Sequence, residues 1–164
     1  MQLQDYKINL KIKNIKGEKM SNVCELPSAG MRNEKLCKML ADTKVMAVVG
    51  LSPKEHRDSN IVAKYFQDKG IKIIPIYPRE EIILGEKVYR SLPEIPEKVD
   101  MVVVFRKGAD TPPIAKKAVE IGAKYLWLQE TVINDEAIKI AEDGGLEAVQ
   151  DKCTMVEDKR CQNV

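Results

Sequence analysis

The sequence predicts an α/β domain, an open parallel sheet of about five strands in the order 3-2-1-4-5 with helices on both faces. Three observations carry this expectation. Apolar runs rich in β-branched residues recur at 44–50, 71–78, 99–105, 124–129 and 146–150. Helix-compatible segments separate most of them, opened by capping residues and closed by glycines. The first run, "KVMAVVG", is continuous rather than alternating, as expected of a strand buried on both faces.

Each element has its own local reason. Residues 34–41, "EKLCKMLA", place Leu36, Met39 and Leu40 on one helical face, with Cys37 one position off that stripe. The strand 44–50 stops at Gly50, and Asp58 or Ser59 is placed to cap the following helix. That helix carries Ile61, Val62, Tyr65 and Phe66 on one side and ends at Gly70. The run 71–78, "IKIIPIYP", is a strand in which Pro75 points to irregularity or an edge position. "SLPE" at 91–94 has the capping-box pattern and predicts a one-turn helix before the strand 99–105. Thr111 and Pro112 begin a helix to about Ile121, in the favoured positions for a cap and a first-turn proline. After the strand 124–129, Asn134 caps a helix to about Glu142, Gly144 and Gly145 end it, and 146–150 closes the sheet.

The totals bound the partners. The chain has 164 residues, 44% hydrophobic and 32% charged, enough apolar material for one core. Its net charge is +2, but residues 1–19 hold five lysines against Asp5 and Glu18, so the remaining chain is at −1. A nucleic-acid partner is not expected, because neither a basic face nor groove-reading elements are evident. No apolar run approaches a membrane span and no signal peptide is present, so no membrane partner is expected. Cys24, Cys37, Cys153 and Cys161 have no metal-type spacing, and His56 is the sole histidine, so no metal is expected. Dispersed cysteines of this kind read as a reducing cytoplasm rather than a disulfide framework.

Residues 1–33 read as a leader, 34–160 as the domain and 161–164 as a tail. Two readings of the leader stand open. Its period-two alternation from Tyr6 to Ile15 suits an exposed strand, and Met20 after Lys16-Gly17-Glu18 suits a later start.

At the carboxyl ends of the strands, the loops gather Ser52, Lys54, His56, Arg57, Ser59, Tyr77, Arg79, Arg106, Lys107 and Gln129. Five of these ten are basic and none is acidic, which favours an anion such as a pyrophosphate beside a helix N-terminus. The loop Gly50-Leu51-Ser52-Pro53-Lys54 lacks the G-x-G-x-x-G of a dinucleotide site, and no P-loop is present. Arg79 stands after the second strand, where a dinucleotide site has a ribose-binding carboxylate. An arginine there suits a ribose bearing an extra phosphate, as in NADP or coenzyme A. Without the glycines, coenzyme A is favoured.

The segments "VVGLSPKEHRDSNIVAKYF", "IIPIYP", "ILGEKVYRSLPEIPEKVDMVVVFR", "LWLQ" and "DKCTMVEDKR" together resemble the small single-domain CoA-binding proteins. These are similar to the amino-terminal CoA-binding domain of succinyl-CoA synthetase alpha subunits. The resemblance spans about residues 43–160 and implies a Rossmann-like domain that holds coenzyme A or acyl-CoA through its ADP moiety. It places Gly50, Ser52 and Pro53 against the pyrophosphate, with Arg57 and Ser59 opening the helix; Leu51 and Lys54 of the same loop complete the expected binding set there. Pro75 and Pro78, with Tyr77 between them, fall beside the adenosine, and Phe105 and Arg106 at the end of the middle strand; Arg79 and Gln129 are the further binding candidates in the neighbouring loops. Three positions depart from the family pattern. Leu51 replaces the usual alanine, Tyr77 an asparagine and Thr131 a glycine that widens the path of the pantetheine arm.

No nucleophile, paired carboxylates or catalytic triad assembles from the remaining residues. Ligase activity of the synthetase type is not expected, because the domain carrying the phosphohistidine is absent and His56 lies in the first loop. The expected function is a CoA carrier, sensor or partner subunit without catalysis of its own. The alternative is an NADP- or acyl-CoA-dependent enzyme completed by a homodimer mate or a partner enzyme subunit. Cys153 is read as a small packed residue, with a mixed disulfide to the ligand thiol as the alternative.

Overall fold

The computed structural model describes residues 33–163. Both readings of the leader before residue 33 lie outside the described residues. Asn33 is the side-chain cap of the first helix, α1 (Glu34–Asp42), and accepts from the N–H groups of Lys35 and Leu36.

Five parallel strands form the main sheet: β1 (Val45–Val49), β2 (Lys72–Ile76), β5 (Met101–Val104), β6 (Tyr125–Leu128) and β7 (Glu147–Val149). A short antiparallel pair, β3 (Ile82–Ile83) and β4 (Glu86–Lys87), follows β2. Four further helices complete the fold: α2 (Asp58–Asp68), α3 (Thr111–Glu120), α4 (Asp135–Asp143) and α5 (Thr154–Gln162). Cys161 and Gln162, expected in a tail, therefore belong to a helix.

Side chains alternate between two cores because successive residues of a strand point to opposite faces. Ala47, Val49, Val102, Val104, Leu126 and Leu128 meet α3 and α4. Met46, Val48, Met101, Val103, Tyr125 and Trp127 meet α1 and α2. Met101 and Trp127 are fully buried, as their place in strands predicts.

The sheet order is β2-β1-β5-β6-β7, which corrects the expected 3-2-1-4-5. Counted along the chain, the main strands run 2-1-3-4-5. The reason was already written in β2. Pro75 has no N–H, so it suits an edge strand and not the interior position that 3-2-1-4-5 assigns it. Pro75 stands opposite Val48 on the β1 side. Its outer side meets only an isolated bridge, in which Tyr89 N–H donates to Pro75 O and Tyr77 N–H donates to Tyr89 O. The chain then crosses back over β1 before entering β5. Connections leave β1 and β5 in opposite directions, and the crevice between their carboxyl ends is the topological switch point of the sheet.

Three local expectations change in detail. Neither Asp58 nor Ser59 caps α2: Arg57 is the cap residue and makes no side-chain cap hydrogen bond. The "SLPE" turn is a 3-10 helix (Leu92–Glu94), and Glu94 reaches back to Arg90 N–H rather than to Ser91 N–H. The cysteine reading is also corrected, because Cys37 of α1 and Cys161 of α5 form a disulfide with Cα atoms 5.6 Å apart. The two cysteines meet because α1 and α5 pack on the same side of the sheet.

Candidate functional site

Gly50 ends β1 at φ +86°, a left-handed conformation that favours glycine. A Cβ there would stand 2.5 Å from Phe105 O, so only glycine lets the β1 and β5 exits approach this closely. Beyond it the loop is built by the helix it leads into. Ser52 N–H donates to Ser59 Oγ at 3.0 Å, Asn60 Nδ2 donates to Ser52 O at 2.9 Å, and Lys54 N–H donates to Ser52 Oγ at 3.2 Å. Ser59 and Asn60 are buried by this work. The first turn of α2 has no side-chain cap; Arg57 N–H donates to Lys54 O and Asn60 N–H to Arg57 O, which leaves the amides of Asp58 and Ser59, both residues lining the crevice.

Two clefts open at this end of the sheet. The smaller, of about 340 Å³, is lined by Gly50, Ser52, Lys54, Arg57, Asp58, Ser59, Tyr77 and Phe105. The larger, of about 1090 Å³, runs past the ends of β5 and β6 to the start of α5. Asp58 and Phe105 line both, so the clefts meet at the N-terminus of α2.

The predicted residues divide accordingly. Gly50, Ser52, Lys54, Arg57, Ser59, Tyr77 and Phe105 come together in the smaller cleft. Arg106 and Gln129 line the larger one. Leu51 is fully buried in the core and lines neither cleft, so its side chain is a packing residue. Pro53, Pro75, Pro78 and Arg79 also line neither; Pro75 is buried in β2, whereas Pro78 and Arg79 are exposed. His56 is exposed and outside both clefts.

The expectation of basic loops without acidic residues is corrected. In the smaller cleft Lys54 and Arg57 stand against Asp58, a net of +1. In the larger, Arg106 and Lys107 stand against Asp58, Asp110 and Glu130, a net of −1. Arg106 is moreover paired with Asp110 at 3.7 Å. Positive character is thus confined to the loop at 54–57.

Several side chains organise this end of the sheet through bonds that the sequence did not signal. Arg90 donates through Nη1 to the carbonyls of Tyr77, Arg79 and Glu80 and through Nη2 to Glu81, pinning the turn after β2. Gln129 is buried and holds Thr154 at both ends, giving to its Oγ1 at 2.6 Å and taking from its N–H at 3.3 Å. Trp127 Nε1 donates to Lys152 O at 2.7 Å. Thr131 lines the larger cleft at φ +71°, its N–H donating to the carboxylate of Asp151, which is itself at φ +56°. Their shared bond holds both in a conformation that costs non-glycine residues energy. Among the described residues, no group of three or more His, Cys, Asp or Glu side chains is placed to hold a metal ion. No described helix is long and apolar enough to cross a membrane.

Known proteins share this architecture. The chain is 37% identical over 118 residues to the uncharacterized protein YneT of Bacillus subtilis, covering 72% of this chain and 87% of that protein. A solved structure of a hypothetical protein from Pyrococcus horikoshii OT3 superimposes with a TM-score of 0.77 at 38% identity, over 79% of this chain and 92% of the other. An ADP-forming acetate–CoA ligase of Archaeoglobus fulgidus is 25% identical over 120 residues, 67% of this chain but only 18% of the ligase. Residues 44–159 match the profile of the CoA binding domain. That match runs from β1 to α5 and includes both clefts, and the chain belongs to the CoA-binding domain family.

Proposed function

We propose that the protein binds coenzyme A through its ADP end in the smaller cleft, with the pyrophosphate against residues 50–59 and the adenosine beside Tyr77. One observation carries this reading: Lys54 and Arg57 flank the uncapped N-terminus of α2 at the switch point, where Gly50 brings two backbones together. Amide dipoles and two cations there are complementary to phosphate oxygens. Arg79 does not line this cleft, so discrimination of the ribose phosphate rests on Lys54 and Arg57. The protein acts as a carrier, sensor or partner subunit, with no bond-making chemistry of its own. The occurrence of a similar domain within much longer ligases supports the partner role.

Calorimetric titration of the full chain with CoA, NADP and NAD tests the reading. CoA binds, NAD does not, and Arg57→Ala weakens CoA roughly tenfold, the scale of one lost charge-assisted hydrogen bond. Binding of NADP in preference to CoA overturns it.

A further inference from the structure

We infer that the larger cleft is an acyl chamber, so that the ligand is an acyl-CoA with an uncharged, apolar acyl group rather than free CoA. This rests on the reading of the smaller cleft as the ADP site. The two clefts meet at Asp58 and Phe105, so a molecule anchored by its phosphates at residues 50–59 has a continuous path into the larger space.

Charge decides which end of the ligand goes where. The smaller cleft is at +1 and the larger at −1, with its one arginine already paired to Asp110. The phosphates therefore belong in the first and an uncharged group in the second. Past Asp58 the wall of the larger cleft along α2 and α5 is apolar, where Ile61, Val62, Met155 and Val156 line it. Ile61 and Val156 are 45% and 40% exposed, two of the four large hydrophobic side chains left open to water among the described residues. Their meeting on one wall marks a surface made for an apolar occupant. Size agrees: at about 1090 Å³ the cleft exceeds the ~300–1,000 Å³ common for whole small-molecule sites. A slender pantetheine arm leaves room there for a further group. Cys153 also lines the cleft and is outside the disulfide, so its thiol reports on occupancy.

The test compares CoA, butyryl-CoA, hexanoyl-CoA and succinyl-CoA on the full chain, by calorimetry and by the rate of Cys153 alkylation mapped by mass spectrometry. Affinity rises from CoA to butyryl-CoA to hexanoyl-CoA by up to roughly fourfold for each methylene that reaches the wall. Succinyl-CoA, matched in length to butyryl-CoA but anionic, binds more weakly than it does. Butyryl-CoA slows Cys153 alkylation more than CoA does. Val156→Asp brings the ratio of butyryl-CoA to CoA affinity to within about twofold of one, against the several-fold expected from area burial. If CoA binds but the acyl chain changes neither affinity nor alkylation, or if succinyl-CoA binds best, the acyl chamber is overturned while the ADP site stands. If no CoA species binds, the ADP site itself is wrong and the chamber falls with it.

Discussion

On one face of the sheet, α3 and α4 lay four fully buried alanines, Ala115, Ala118, Ala137 and Ala141, against the strands. On the other, α5 turns inward Thr154, Glu157 and Asp158, all polar, and is attached by named bonds. Tyr65 Oη donates to Asp158 at 2.7 Å, Lys69 pairs with the same carboxylate, and Cys161 is joined to Cys37. The first layer is held by contact area, spread over many small side chains. On the second face α1 and α2 also pack by apolar contact, but α5 is held largely by a few directional links and one covalent one. The difference matters for function because α5 carries Met155 and Val156, part of the larger cleft's wall. The geometry of that wall depends on bonds that can be removed one at a time.

The strongest way to break the contrast is to cut the covalent link. Replacing Cys37 and Cys161 together by serine lowers the unfolding free energy by about 3–5 kcal/mol, because the disulfide closes a loop of 124 residues. Denaturant titration under non-reducing conditions measures it, and an unchanged midpoint means that polar contacts alone hold α5. The alanine layer is probed next. Ala118→Leu inserts three carbons where no space remains and costs about 1–3 kcal/mol, with α3 displaced and the smaller cleft, which no residue of α3 lines, unaffected. A smaller loss than that of the disulfide pair, with ligand affinity retained, sharpens the division between the layers.

Tyr65→Phe has the smallest effect, about 1 kcal/mol, since Asp158 keeps Lys69 and Gln162 as partners. Hydrogen exchange detects it as faster exchange confined to α5. The same tyrosine has a pH signature. Burial, and then the hydrogen bond to Asp158, pushes the Tyr65 hydroxyl up to about 12, and Tyr125 is raised to about 12 by burial and its bond to Asp42. A raised folded-state value means that this stabilisation is complete below pH 10, where the unfolded tyrosines are protonated. It is then lost as pH climbs from 10 through 12. Denaturant midpoints across that window fall, and fall less steeply in Tyr65→Phe.

Legibility in the sequence followed the range of the interaction. "KVMAVVG" and "VDMVVVF" announced buried strands, and Asn134 is the predicted cap, accepting from Ala137 N–H at 2.8 Å. Leu36, Met39 and Leu40 face the core as their spacing demands. By contrast, α5 offers no apolar period, because its buried face is polar, so nothing in 154–162 signalled a helix. The β3–β4 pair is two residues a side, too short to carry a pattern. In the loop at 50–59, Gly50, Lys54 and Arg57 were legible as residues gathered at the end of the first strand, and they do line one cleft. Asp58 and the framework bonds of Ser59 and Asn60 were not, since they depend on how the loop folds back on its own helix.

The sequence by itself determined the five main strands and the helices before α5, and that they make a parallel α/β sheet, because burial periodicity and caps are properties of neighbouring residues. It also held the Pro75 signal for an edge strand, since the missing N–H is a property of one residue. Only the tertiary structure decided the neighbour of β1, the pairing of Cys37 with Cys161, and the division of charge between two clefts. Each of these joins residues far apart in the chain, and long-range pairings are selected by the packing of the whole domain rather than by any local preference.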